Sequence, residues 1–235
     1  MITATITTKG MTTSTAINAA LPLLIWLSPA FPVGAYAYSH GIEWAVEAGD
    51  VRDAATLRLW LEDLVDHGGP RLDVCLFAAA HRAAHDPAAL RQVNELAVAL
   101  ANSAERRLET TGQGTAFVAA ARAAWPCKPL DTFGAGPVAY PVALGAAAAG
   151  HGIGLDEAAP AFALGLFGNL VSAASRLSVI GQTEGQKLIA ALLPRLVAMA
   201  RQAAACEPEA LGACAFRSEL AAMKHDTQYS RLFRS

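Results

Sequence analysis

The sequence predicts an all-α fold, a single compact domain of about eight to ten helices. Three observations predict it. Alanine, leucine, arginine and glutamate, all strong helix formers, dominate nearly the whole chain. The apolar/polar alternation that marks strands is nearly absent outside the N-terminal tail. The breaks between periodic segments are short, with no internal repeat and no long linker. A chain of 235 residues suits this reading, since one domain of that length buries a sizeable core.

Residues 1–17 open with ITATITT and further threonines and read as a disordered tail. An apolar run follows, AINAALPLLIWL, and then the segment SPAFPVGAYAYSHGIE at 28–43. Pro29 and Pro32 fix φ and remove donors, and Gly34 permits a left-handed turn, so the chain makes an ordered elbow before a short amphipathic helix. Asp53 opens a helix that carries Leu57, Trp60, Leu61, Leu64 and Val65 on one stripe, and Gly68-Gly69-Pro70 stops it. The next helix covers about 71–85. Asp86-Pro87 pairs an N-cap with proline at the first helical position and starts a helix to about residue 102. A helix at about 104–125 is softened by Gly112 and Gly114 and ended by Pro126. Helices are expected at 138–149, at 156–180 capped by Asp156, at 182–205 with a kink at Pro194, and at 208–224. Ala161, Gly165, Gly168 and Ala173 are small enough to let helices approach closely. The domain thus spans 18–225, leaving 226–235 as a C-terminal tail.

Charge and composition exclude several function classes. A net charge of -2 leaves no basic footprint for nucleic acid. Only 16% of residues are charged against 54% hydrophobic, which calls for a large buried fraction, an extensive protein interface or membrane contact. The four cysteines, Cys75, Cys127, Cys206 and Cys214, form no CxxC pair and are expected as reduced, mostly buried thiols. Lys9, the apolar run and Ala35-Tyr36-Ala37 mimic a secretory signal, but Pro22 interrupts the run. The stretches 132–155 and 158–175 lack charge and could pass for membrane spans. Buried helices of a globular domain explain both more simply.

No catalytic constellation emerges. There is no GxxxxGK[ST], no GxGxxG after a strand and no GxSxG. His81 and His85 share a helical face but lack the glutamate of a zincin, and they read as surface or capping residues. Glu62, Asp63 and Asp66 read as a solvated face. His40 and Glu43, one turn apart, form a conceivable acid–base pair without a nucleophile. GQTEGQ at 181–186 reads as a helix junction with Gln182 and Gln186 bonded to nearby backbone. The tail HDTQYSRLFRS interleaves aromatics with arginines, the composition of a binding peptide.

Taken together, four segments resemble the UreF family of urease accessory proteins: the elbow SPAFPVGAYAYSHGIE, the block NLVSAASRLSVIGQTEGQK at 169–187, the tail MKHDTQYSRLFRS at 223–235 and, weakly, SAERRLETTGQG at 103–114. The chain departs from the family pattern at Val179-Ile180, commonly Pro-Leu, and at Asp226, commonly Glu. The resemblance implies a cytoplasmic, dimerising all-α protein without catalytic residues, without a metal site and without a bound cofactor. It implies an adaptor that bridges the nickel-carrying GTPase UreG to UreD (also called UreH) and apo-urease, with nickel and GTP handled by those partners. It makes Tyr36, Tyr38, Glu43 and Arg176 candidates for the GTPase side. Tyr229, Arg231, Leu232, Phe233 and Arg234 become candidates for the UreD side. The divergent mid-chain block receives no role. The rival readings are an independent nickel chaperone using His81, His85 or His225, and a membrane-associated helical protein.

Overall fold

A computed structural model describes residues 11–207 and 215–234, with side chains from residue 18 onward. Every regular element among them is helical. The chain runs α1 (Met11–Trp26), a 3-10 turn at Ala35–Ala37, α2 (Ile42–Glu47), α3 (Ala54–His67), α4 (Gly69–Ala83) and α5 (Pro87–Ala99). Then come α6 (Ala104–Ala124), a 3-10 turn at Lys128–Thr132, α7 (Tyr140–Gly150), α8 (Leu155–Arg176), α9 (Gln182–Ala204) and α10 (Phe216–His225). The all-α single domain read from the sequence is therefore what the chain forms. The disordered tail read at 1–17 falls partly on residues 1–10, which lie outside the described residues, and α1 begins at Met11. The predicted helix start at Pro208 and the Cys214 thiol also lie outside them.

The capping signals are realised. Asp53 accepts from Thr56 N at 2.8 Å while Thr56 Oγ1 accepts from Asp53 N at 3.1 Å, a reciprocal box. Asp86 Oδ1 accepts from the amides of Ala88 and Ala89. Two boundaries differ from the sequence reading. Helix α8 is capped at Gly154, one turn's edge before Asp156, whose charge instead lies in the first turn with Glu157. It stops at Arg176 rather than near Ile180, because Ser178 takes a left-handed φ of 61°. Val179 N then reaches Ala174 O and Ser178 N reaches Ser175 O, a Schellman closure built on serine instead of glycine. Helix α6 runs unbroken through Gly112 and Gly114. Gln182 and Gln186 stay exposed and take no backbone bond among the described residues.

Helix α4 is the central strut, packed against α7, α9, α8, α5 and α3. Its close approach to α7 depends on Gly145, where a Cβ would collide with the Phe77 carbonyl. Phe77 stacks on Phe162 of α8 at 5.0 Å, and fully buried Trp26 meets Phe117, Trp125 and His151 edge-on. Helix α8 is the one described helix long and apolar enough to cross a membrane. Half of its apolar window is buried, and α9, α4, α2 and α1 cover it. The acidic face of α3 is paired: Glu62 and Asp66 meet Arg195 of α9 at 3.2 and 2.7 Å. Finally, α10 packs on α2 and α6, which returns the C-terminal segment to the elbow.

Candidate functional site: the elbow and the C-terminal segment

The elbow is built by side chains that point inward and a backbone that reverses twice. Phe31 and Val33 are buried while Pro32 is exposed. Gly34 at φ 71° starts the 3-10 turn, and His40 and Gly41 follow with φ of 53° and 78°. Gly41 is required twice over, since a Cβ there would lie 2.8 Å from Ala222 N of α10. This reversal sends His40 and Glu43 into two different polar networks, so they are not an acid–base pair.

Glu43 is the hub of the first network. Its Oε1 accepts the backbone N–H of Leu232 at 2.6 Å, and its Oε2 accepts that of Phe233 at 2.9 Å. The same Oε2 faces His225 Nε2 at 2.9 Å, and His225 Nδ1 faces Glu105 Oε1 at 2.9 Å. His225 has no exposed surface, and both of its ring nitrogens face carboxylates. Arg231 adds charge to Glu105 at 3.6 Å. Burial pushes the Glu105 carboxyl above its ordinary range, against the bond from His225.

Around this hub the tail lies on the elbow. Arg234 N donates to Ala37 O at 2.7 Å. The Arg176 guanidinium sits 4.4 Å from the centre of the Phe233 ring and donates to the Tyr36 carbonyl. Asn169 Nδ2 donates to Ala35 O at 3.0 Å. Of the residues picked from the sequence, Tyr38, Glu43 and Phe233 are buried, at 4%, 6% and 4% exposure, and hold the segment in place. Tyr36, Arg176, Tyr229, Arg231, Leu232 and Arg234 remain at the surface. The two groups assigned to two separate partners therefore form one contiguous face.

The second network lies beneath the elbow. Arg106 donates through Nη1 to Glu109 Oε2 at 2.7 Å and to His40 Nδ1 at 2.9 Å, and through Nη2 to Asp73 Oδ2 at 3.0 Å. Guanidinium nitrogens only donate, so His40 Nδ1 accepts and its ring proton sits on Nε2, 2.8 Å from Glu109 Oε1. Burial works to raise the Glu109 carboxyl, but His40 and Arg106 outweigh it and hold the group at about 2. Burial likewise opposes the Arg106 charge, and Glu109 and Asp73 more than offset it. Asp73, with Arg106 on one oxygen only, is pushed up by burial.

Sequence reasoning placed helix α6 but missed that it joins both networks. Glu105, Arg106 and Glu109 all belong to α6, in the block that was given no role. The signal was present: the stripe of Ala121 and Phe117, continued backwards at helical spacing, runs into Gln113, Thr110, Glu109 and Arg106. That is a buried face carrying polar residues. The proposed nickel ligands are not brought together. His81 Nε2 is 2.7 Å from Ile153 O, His85 is exposed past the end of α4, and His225 is enclosed by glutamates. Among the described residues no group of three or more His, Cys, Asp or Glu is placed to hold a metal ion.

Comparison with known proteins agrees with the motif reading. The UreF family model matches residues 51–193. The urease accessory protein UreF of Methylobacterium radiotolerans is 54% identical over 221 residues, covering 92% of this chain and 96% of that protein. UreF of Xanthobacter autotrophicus is 54% identical over 220 residues, 92% and 90% of the two chains. UreF of Rhodopseudomonas palustris strain BisB18 is 48% identical over the full length of both. With a family match across most of the helical core, and relatives whose similarity extends over more than nine-tenths of the chain, this protein belongs to the UreF family of urease accessory proteins.

Proposed function

We propose that the chain acts as a non-catalytic scaffold in urease maturation, a cytoplasmic homodimer that bridges UreG to UreD and apo-urease. The single observation that carries this reading is the Glu43 hub. It seats the arginine- and aromatic-rich tail on the elbow, where Arg176 covers Phe233 and bonds the Tyr36 carbonyl, while the Tyr36, Tyr229 and Leu232 side chains stay exposed. Exposed aromatics beside arginines are the side chains that dominate protein interfaces.

In this reading the tail from Tyr229 to Arg234 docks UreD, and the adjoining elbow with Arg176 meets the GTPase. Because Phe233 lies under Arg176, a partner that grips the tail acts directly on the residue offered to the GTPase. The scaffold holds the nickel donor close to urease and raises its effective concentration there. It biases the GTPase to the extent that it binds one nucleotide state better than the other. Nickel and GTP stay with the partners as cargo and ligand.

The test is GTP turnover in the assembled complex. Arg176→Ala is expected to change turnover while assembly, read by co-purification, stays intact. Unchanged turnover would remove Arg176 from the GTPase face.

A further inference from the structure

The last carbonyls of a helix lack donors from within it, and at the end of α9 the central strut α4 supplies them. Cys75 Sγ donates to Ala203 O at 2.7 Å. Arg82, two turns further along α4, donates to Ala204 O at 2.6 Å and to Cys206 O at 3.2 Å. The Ala203 oxygen that takes the Cys75 thiol also accepts from Cys206 N at 3.1 Å. Two cysteines far apart in sequence are thereby gathered at one carbonyl, and their side chains meet in a thiol–thiol hydrogen bond.

The two sulfurs differ in access. Cys75 is 1% exposed, whereas Cys206 is half-buried at the surface. Burial pushes the Cys75 thiol up to about 12, the adjacent Cys206 thiol adds to the rise, and Arg71 and Arg82 work against it. Cys75 is therefore a neutral thiol, shielded from solvent, and Cys206 is the sulfur that a small oxidant reaches.

We propose that Cys75 and Cys206 form a peroxide-responsive redox modification site, in which Cys206 is oxidised first and Cys75 then closes a disulfide. The Cys206 sulfur attacks hydrogen peroxide, the O–O bond breaks, and a sulfenic acid forms with release of one water. The Cys75 sulfur next attacks the Cys206 sulfur. The S–S bond forms, the S–O bond breaks, and the hydroxyl leaves with the Cys75 proton as a second water. The pair loses two electrons and the peroxide gains them. Once Cys206 is a sulfenic acid its negative charge no longer opposes ionisation of Cys75, while Arg71 and Arg82 still favour it. Closure gives up the Cys75 donor to Ala203 O, which keeps Cys206 N, and Arg82 keeps its two carbonyls. In exchange the end of α9 is clamped covalently to α4. A small thiol reductant reverses the bond, as in the transient disulfides of reducing compartments. The site does not depend on the proposed partner face.

The experiment treats the full chain with stoichiometric hydrogen peroxide, blocks free thiols by alkylation and maps the digest by mass spectrometry. A peptide linking Cys75 to Cys206 is expected, and dithiothreitol should abolish it. Closing so long a loop is expected to raise the melting temperature by about 5 °C or more. Cys206→Ser should lose the link and the rise while melting like the reduced parent. Cys127→Ser should keep both, since Cys127, also half-buried, lies beside Gly150 of α7. The mapped link on the unaltered chain decides even if Cys206→Ser does not fold. Cys206 accumulating as sulfenic or sulfinic acid without a link overturns the proposal. So do a link from Cys206 to Cys127 or Cys214, and no reaction at Cys206. A Cys75–Cys206 link that leaves the melting temperature unchanged or lowered overturns the clamp.

Discussion

The Glu43 carboxylate accepts the backbone N–H of Phe233 at 2.9 Å, across 190 residues of sequence. The bond ties the first ordered bend of the chain to its last described residues, and the same carboxylate also holds Leu232 N and His225. A charged acceptor buried with three donors stabilises the arrangement only while all three are kept. Glu43→Gln is therefore expected to cost about 2–4 kcal/mol in urea unfolding, since an amide cannot accept all three bonds. Amide exchange at Leu232 and Phe233 should rise in the same variant. Protection equal to that of the unaltered protein would mean the tail is held by something else.

Removing Arg106 leaves two buried carboxylates and His40 Nδ1 without their shared donor. Arg106→Met is expected to lose about 3–5 kcal/mol, the cost of breaking a buried charge network from one side. The double variant Arg106→Met with Asp73→Asn should recover part of that loss, because it removes one of the stranded charges. Chemical denaturation of the three variants in parallel checks both statements.

The Glu109 carboxyl is held at about 2 in the folded protein, below its ordinary value of 4.5. A lowered folded value means that the stabilisation is fully present above about pH 4.5 and is lost as pH falls towards 2. It amounts to at most about 3 kcal/mol. Asp73 and Glu105 are shifted the other way, chiefly by burial. Their folded forms bind protons more readily than the unfolded chain, so they oppose stability as pH rises past the ordinary carboxylate range. Glu109→Gln should flatten the acid limb of the stability profile, while Asp73→Asn should raise the neutral limb relative to the acid one. Stability measured by denaturant titration from pH 3 to pH 8 reads both signs.

Gly145→Ala places a methyl group against the Phe77 carbonyl, at the tightest approach of α4 and α7. Backbone cannot yield as a side chain end can, so the loss is expected at about 1–3 kcal/mol or more. Gly168→Ala, on the neighbouring α8, meets open space and should be neutral or slightly stabilising through helix propensity. Thermal unfolding of the pair separates a glycine kept for packing from one that borders a void.

Much of the fold was legible because its punctuation is local. Asp53 and Asp86-Pro87 mark helix starts by chemistry that acts within one turn. The end of α8 was not legible, because a serine takes the left-handed position that glycine normally signals, and Gly181 three residues later drew the boundary onward. The elbow and the tail were each recognisable, but their contact was not. It depends on α10 crossing α2, a long-range packing that no periodicity announces. Glu105, Arg106 and Glu109 escaped for a related reason. Charged residues on a helix read as a solvated face, and only the continuation of the apolar stripe shows that this face is buried. Gly168 was read as a packing residue, whereas it borders a cavity.

The central claim is that the tail seated on the elbow is the face through which partners assemble. Co-purification tests it most directly, comparing the full chain with one ending at Asp226 for capture of UreD and then of UreG through the assembled complex. The account predicts that the shortened chain, still folded by circular dichroism, loses UreD and with it the GTPase. Capture of both partners by the shortened chain, at the level of the full chain, would contradict it.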